Sequence, residues 1–121
     1  MILVDTSIWI DHLRKKNDDL VQGLQQGKVV IHPFVIGEIA MGNLSRRSLL
    51  DDFWMLPMVE PLADRDVIAF VEQHKLHGRG IGLVDAHLLA SCWRHQHKLW
   101  TADRRLASIA AEISLALTDH A

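Results

Sequence analysis

Four acidic residues sit where plain structural duty is not their obvious role. Asp5 stops the apolar run Ile2-Leu3-Val4. Glu38 lies inside the mostly apolar segment FVIGEIAMG. Asp85 is the only formal charge between Arg79 and Arg94, within GIGLVDAHLLASCW. Asp103 falls two residues past Thr101, which ends the short run KLWT. An isolated carboxylate on an apolar element is expensive. Like charges brought together raise that cost unless a cation joins them. Four acids meeting in one pocket would therefore make a poor core and a good site for a hard divalent ion. Mg²⁺ and Mn²⁺ take oxygen ligands and keep several waters. Such an ion turns water into a nucleophile and offsets charge building on a phosphate.

The acids need elements to carry them. Residues 1–4 read as a short buried strand, and 29–31 as a second, Val29-Val30-Ile31. KLWT reads as a third strand and ISLAL, residues 113–117, as a last one. Between them the pattern predicts helices over 7–14, 17–26 (ended by Gly27), 33 to about 44 (Pro33 in its first turn), roughly 45–55, about 64–77 and about 84–96. A final helix begins near Asp103. Strands separated by helices imply parallel pairing with helices covering the sheet, an α/β sandwich. Sites in such sheets gather beyond the carboxyl ends of the strands. If the first and KLWT strands are neighbours, Asp5 and Asp103 face one crevice. Each acid also fits a local role. Asp5 and Asp103 suit helix N-caps, with Thr6 and Ser7 able to cap beside Asp5. Asp85 suits a first helical turn facing the macrodipole, and Glu38 an exposed helix flank.

Composition narrows the class. The 121 residues suit one domain, of 49% hydrophobic and 23% charged residues. No run approaches the ~18 apolar residues of a membrane span. No basic region precedes the first apolar run, which argues against a signal peptide. The single cysteine, Cys92, has no internal disulfide partner. Together these features predict a cytoplasmic protein. A net charge of −2 gives no global basic footprint for nucleic acid. Basic residues are confined to short clusters: Arg14-Lys15-Lys16, Arg46-Arg47, Arg79 and Arg104-Arg105. Arg14, Arg79, Arg104 and Arg105 are the candidates for phosphate contacts, against plain surface solvation.

Other features carry less. Eight histidines invite a zinc reading, but no cysteine pair accompanies them. His87, two residues after Asp85, reads as a packed helix histidine. GRGIG at 78–82 follows a helix rather than a strand and lacks a following Lys-Ser/Thr pair, so it reads as a loop at the groove edge. Trp54, Met55, Leu56 and Met58 surround Pro57 and read as core, with a partner surface as the alternative. Trp9, Trp93 and Trp100 also read as core.

The segments ILVDTSIWID, IGEIAMG, GLVDAHLLAS and LWTADRRL resemble, in order and spacing, the four acidic motifs of PIN-domain proteins. The match is best to the VapC-type ribonuclease toxins of VapBC toxin–antitoxin modules and covers essentially the whole chain. The resemblance implies a single PIN domain over residues 1–121, a three-layer α/β/α sandwich with a small, mainly parallel sheet. It implies Mg²⁺- or Mn²⁺-dependent endoribonuclease activity, with Asp5, Glu38, Asp85 and Asp103 as catalytic and metal-holding acids. Thr6, Ser7 and Thr101 match positions where a hydroxyl supports that cluster. Expected partners are RNA, a VapB-type antitoxin and a second copy of the chain, with DNA reached only through the antitoxin. Two departures stand out. Gly82-Leu83-Val84 precedes the third acid where many relatives carry Ser or Thr, and Arg104-Arg105 follow Asp103 where a fifth acid would favour a second metal. The competing readings are a phospho-receiver-like domain and a non-catalytic acidic-pocket module. The receiver would need an acid pair after the first strand and a late lysine; no lysine follows Lys98.

Overall fold

A computed structural model describes residues 1–117. Three short parallel strands form the sheet: β1 (Ile2–Val4), β2 (Val29–Val30) and β3 (Lys98–Trp100). Their order is β2-β1-β3, so the first strand is central. Leu3 pairs with Val30 on one side and Leu99 on the other. Leu3 and Val4 point to opposite faces of the sheet, and both are fully buried. Helices therefore cover both faces, giving the α/β/α layering that a continuous apolar central strand requires.

Among the described residues, seven helices connect and flank the strands: α1 (Thr6–Arg14), α2 (Asp18–Gln25), α3 (Pro33–Met41), α4 (Leu49–Trp54), α5 (Asp64–Gln73), α6 (Leu83–His95) and α7 (Arg104–Glu112). The end of α2 shows how local sequence fixes a boundary. Gly27 takes φ +69°, Lys28 N–H donates to Gly23 O at 3.0 Å, and Gly27 N–H to Leu24 O at 3.1 Å. That is a Schellman stop, and it turns the chain straight into β2. At the start of α3, Pro33 occupies the first turn and the His32 ring accepts from Phe34 N–H at 3.0 Å.

Several boundaries differ from the sequence reading. The helix expected over 45–55 begins only at Leu49, and that expected over 64–77 stops at Gln73, followed by Lys75 at φ +55°. The expected last strand, 113–117, is reduced to one bridge between Ala116 and Leu99. An unforeseen parallel bridge, Met58 to Ile31, extends the opposite edge. The core assignments of Trp54, Met55 and Trp93 are overturned: they are 55%, 84% and 46% exposed. α4 has only six residues and buries Phe53 instead, edge-on to Trp9 at 5.0 Å between ring centroids. Met58 is exposed, while Trp9 is buried as expected.

Candidate active site

β1 and β3 are neighbours, so the chain leaves both at the same edge. Val4 pairs with Trp100, and Asp5 N–H continues the ladder to Trp100 O at 2.9 Å. Asp5 stands at the N-cap position of α1, yet its side chain makes no cap hydrogen bond. Thr6 and Ser7 do not cap α1 either, contrary to the sequence reading. Ser7 Oγ donates to Asp5 Oδ2 at 2.8 Å, and Thr101 Oγ1 donates to the same oxygen at 2.7 Å. Each hydroxyl has one proton, so the 3.4 Å approach of Ser7 Oγ to Thr101 Oγ1 is a contact between two atoms whose protons are already committed. Each hydroxyl in turn accepts a backbone N–H: Ala102 to Ser7 at 3.0 Å and Asp103 to Thr101 at 3.1 Å. Two relays, amide to hydroxyl to carboxylate, thus fix one oxygen of the buried Asp5. Oδ1 accepts no hydrogen bond among the described residues, and it is not sealed from solvent.

The other acids follow the same plan. Glu38, exposed on α3, has Oε1 held by Thr6 Oγ1 at 2.6 Å. Asp103 caps α7, its Oδ1 accepting from Leu106 N–H at 3.1 Å. Asp85 lies in the first turn of α6, where its Oδ2 accepts from Gly82 N–H at 3.3 Å. Glycine has no side chain to reciprocate, so this is half a capping box, and it answers the missing Ser or Thr ahead of Asp85. In every case one oxygen is tethered and a second is left over.

The four acids also feel one another. Burial raises the Asp85 carboxyl above its ordinary value, and the negative charges of Asp5, Asp103 and Glu38 push it further the same way. Among the described residues, none of the four has a Lys, Arg or His partner within 4.0 Å. As the side chains stand, no three acids converge tightly enough to hold one ion directly. The donor set nevertheless suits a hard cation: oxygen only, uncompensated, and with free oxygens on prepositioned carboxylates.

The candidate arginines divide. Arg79, Arg104 and Arg105 line one pocket, with Ser108 and Ile109. Arg14 lines a different groove, with Ile10, Leu13, Ile39 and the 42–45 loop. His87 is a packed histidine, buried on α6, with Nε2 2.9 Å from Asp64 Oδ1. Sequence reasoning missed Asp64, and also Glu112, which binds Arg79 through both oxygens. These pairs span 23 and 33 residues, so no local pattern announces them. His32 was missed as a cap, although the position before a helix-starting proline is the signal for one.

Thr101→Val tests the relays directly. It keeps the side chain's shape but removes the donor to a buried carboxylate and the acceptor for Asp103 N–H. The expected cost is about 1–3 kcal/mol, read by urea denaturation. That cost should shrink, without vanishing, when Thr101→Val is combined with Asp5→Asn, because an amide oxygen still accepts the bond but without the charge that strengthens it. Equal costs in both backgrounds would mean that the charge of Asp5 adds nothing to the bond.

A parallel sheet with acids gathered at the carboxyl edge of its strands defines a class of acidic-pocket α/β domains. The PIN domain family model matches residues 2–112. The chain is 40% identical to Ribonuclease VapC32 of Mycobacterium tuberculosis, in both the CDC 1551 / Oshkosh and H37Rv strains, over 99% of its own length and 98% of theirs. The fold resembles that of FitAcB from Neisseria gonorrhoeae, with a TM-score of 0.64 and 19% identity over 98% of this chain and 97% of that one. The chain belongs to the PIN-domain family, among its VapC-type members.

Proposed function

We propose that the protein is the endoribonuclease toxin of a toxin–antitoxin module, and that it cleaves RNA with Mg²⁺ or Mn²⁺ held by Asp5, Glu38, Asp85 and Asp103. The full-length similarity to a VapC ribonuclease supports the activity. The observation that carries the metal reading is that four carboxylates, each held by a hydrogen bond at one oxygen, stand with no basic side chain paired to any of them. A divalent ion bound there would supply a nucleophilic water and offset charge on the scissile phosphate.

The chain's own part is positioning. Ser7 and Thr101 fix Asp5, Thr6 fixes Glu38, and the N-termini of α6 and α7 orient Asp85 and Asp103. Preset carboxylates need little reorganisation when the site is loaded, which is where such sites gain rate. The exposed apolar side chains of Trp54, Met55 and Met58 support a protein partner, in this reading a VapB-type antitoxin or a second copy in a homodimer. Contact with DNA would run through the antitoxin, and the site of action is the cytoplasm.

Cleavage of RNA should vanish in excess EDTA and return on adding Mn²⁺ or Mg²⁺. Turnover undiminished by EDTA would remove the metal from the account. Sequencing of RNA 5′ ends after induction, compared with an Asp5→Asn chain, would identify the substrate. The absence of any new 5′ end would overturn the ribonuclease reading.

A further inference from the structure

We propose that the pocket formed by Arg79, Arg104, Arg105 and Ser108 is a subsite for a backbone phosphate flanking the scissile bond, and that Glu112 is its built-in competitor. The inference rests on the ribonuclease reading and adds to it a second point of grip and a residue that tunes it.

The pocket is about 250 Å³, with Ile109 as its apolar wall. Arg104, Arg105 and Ser108 come from the first two turns of α7, where spacings of three and four residues share a face. The preceding residue is Asp103, one of the four acids. The subsite therefore begins where the acid cluster ends. A polyanionic strand laid over four carboxylates is repelled there, and a cationic pocket next to them is what can hold it. Guanidinium forks match the oxygens of a phosphate, and Ser108 adds a hydroxyl donor.

The third arginine is delivered by the loop between α5 and α6. Gly78 and Gly80 take φ +71° and +82°, on either side of Arg79. Gly80 also touches the pocket. A Cβ there would lie 2.7 Å from Arg105 Nη1 and 3.2 Å from its Cδ. The bare glycine backbone is thus the seat on which the Arg105 guanidinium rests. Arg79 itself is engaged: its Nη1 and Nη2 donate to Glu112 Oε1 and Oε2 at 3.2 and 2.5 Å. Arg104 and Arg105 have no acidic partner within 4.0 Å among the described residues. Two forks are therefore open, and the third is occupied by a half-exposed carboxylate. An incoming phosphate must share or displace that carboxylate.

The sign of one substitution separates this from a merely structural ion pair. Glu112→Gln keeps the side chain's size and removes its charge. If Glu112 competes with phosphate, RNA binds tighter in that variant, by about threefold to tenfold at low salt. If the pair only pins the loop to α7, loosening it weakens binding or leaves it unchanged, and that result overturns the proposal. Binding is read by fluorescence anisotropy of a labelled single-stranded RNA, on full-length protein carrying Asp5→Asn so that the probe survives. In the same assay Arg104→Gln should lower the slope of log K against log salt by about 1. In the cleaving background Arg104→Gln should raise KM far more than it changes kcat. An unaltered slope, together with lost binding of an acidic peptide, would make the pocket a protein dock and also overturn the proposal. A parent chain that neither binds nor cleaves RNA would instead remove the ribonuclease reading, and the subsite with it.

Discussion

Asp5→Asn is expected to leave the chain folded while lowering RNA cleavage on the order of a thousandfold or more. Both hydroxyl donors converge on Oδ2 of Asp5, and an asparagine carbonyl oxygen can accept the same two bonds. The N-cap position loses nothing, since Asp5 makes no cap bond there and Asn suits the position equally well. What disappears is one negative charge of four. That removes a ligand of the proposed cation and one of the charges pushing the Asp85 carboxyl upward. The thermal midpoint should therefore stay level or rise slightly, in contrast to the activity. The two measurements belong on one preparation. Near-normal turnover would take Asp5 out of the chemistry, and loss of fold along with turnover would make it a structural residue.

Acid should destabilise the protein as the pH falls below about 6.5, and His32 is the main reason. Burial, with a smaller contribution from His87, lowers its pKa from 6.5 to about 4. The ring's Nδ1 accepts from Phe34 N–H, so the proton of the neutral form sits on Nε2, a buried atom with no partner. Charging the ring would place a cation beside another histidine with nothing to accept its bond. The unfolded chain binds the proton more readily than the folded one. Stability is therefore complete above about pH 6.5, declines as the pH falls, and levels off below about 4. The full gap corresponds to at most about 3 kcal/mol. Burial lowers His97 and His12 as well, in the same direction. Asp85 acts oppositely, because its raised pKa makes protonation favour the folded state. Urea unfolding across this range should show the decline, and His32→Asn, which keeps the cap, should flatten it. A variant with the parental slope would acquit His32.

Asp5 and Asp103 were legible as candidate site residues because parallel strands export their carboxyl ends to one edge, and two short apolar runs revealed those strands. Glu38 and Asp85 were not legible in that way. Both lie on helices, where spacing says nothing about which neighbour a side chain meets, and only the motif resemblance linked them to the other two. The hydroxyls Thr6, Ser7 and Thr101 were legible as supports but not in detail. Thr6 serves Glu38, 32 residues away, rather than the helix it begins. Three of the errors share a cause. Met58, Ala116 and the exposed Trp54 belong to single bridges or to a six-residue helix, segments too short for periodicity to separate an inward face from an outward one.

The clamp on Asp5 joins residues that are 96 apart in the chain. Its carboxylate lies at position 5, while one of the two hydroxyls that fix it, and both supporting amides, come from 101–103. The first acid therefore acquires its final setting only after residues 101–103 have joined the fold. Chains that end anywhere before Thr101 carry at most three of the acids, and neither Asp103 nor the Thr101 half of the clamp. For the proposed ribonuclease, this separation would tie the setting of its first acid to a chain that reaches past Asp103.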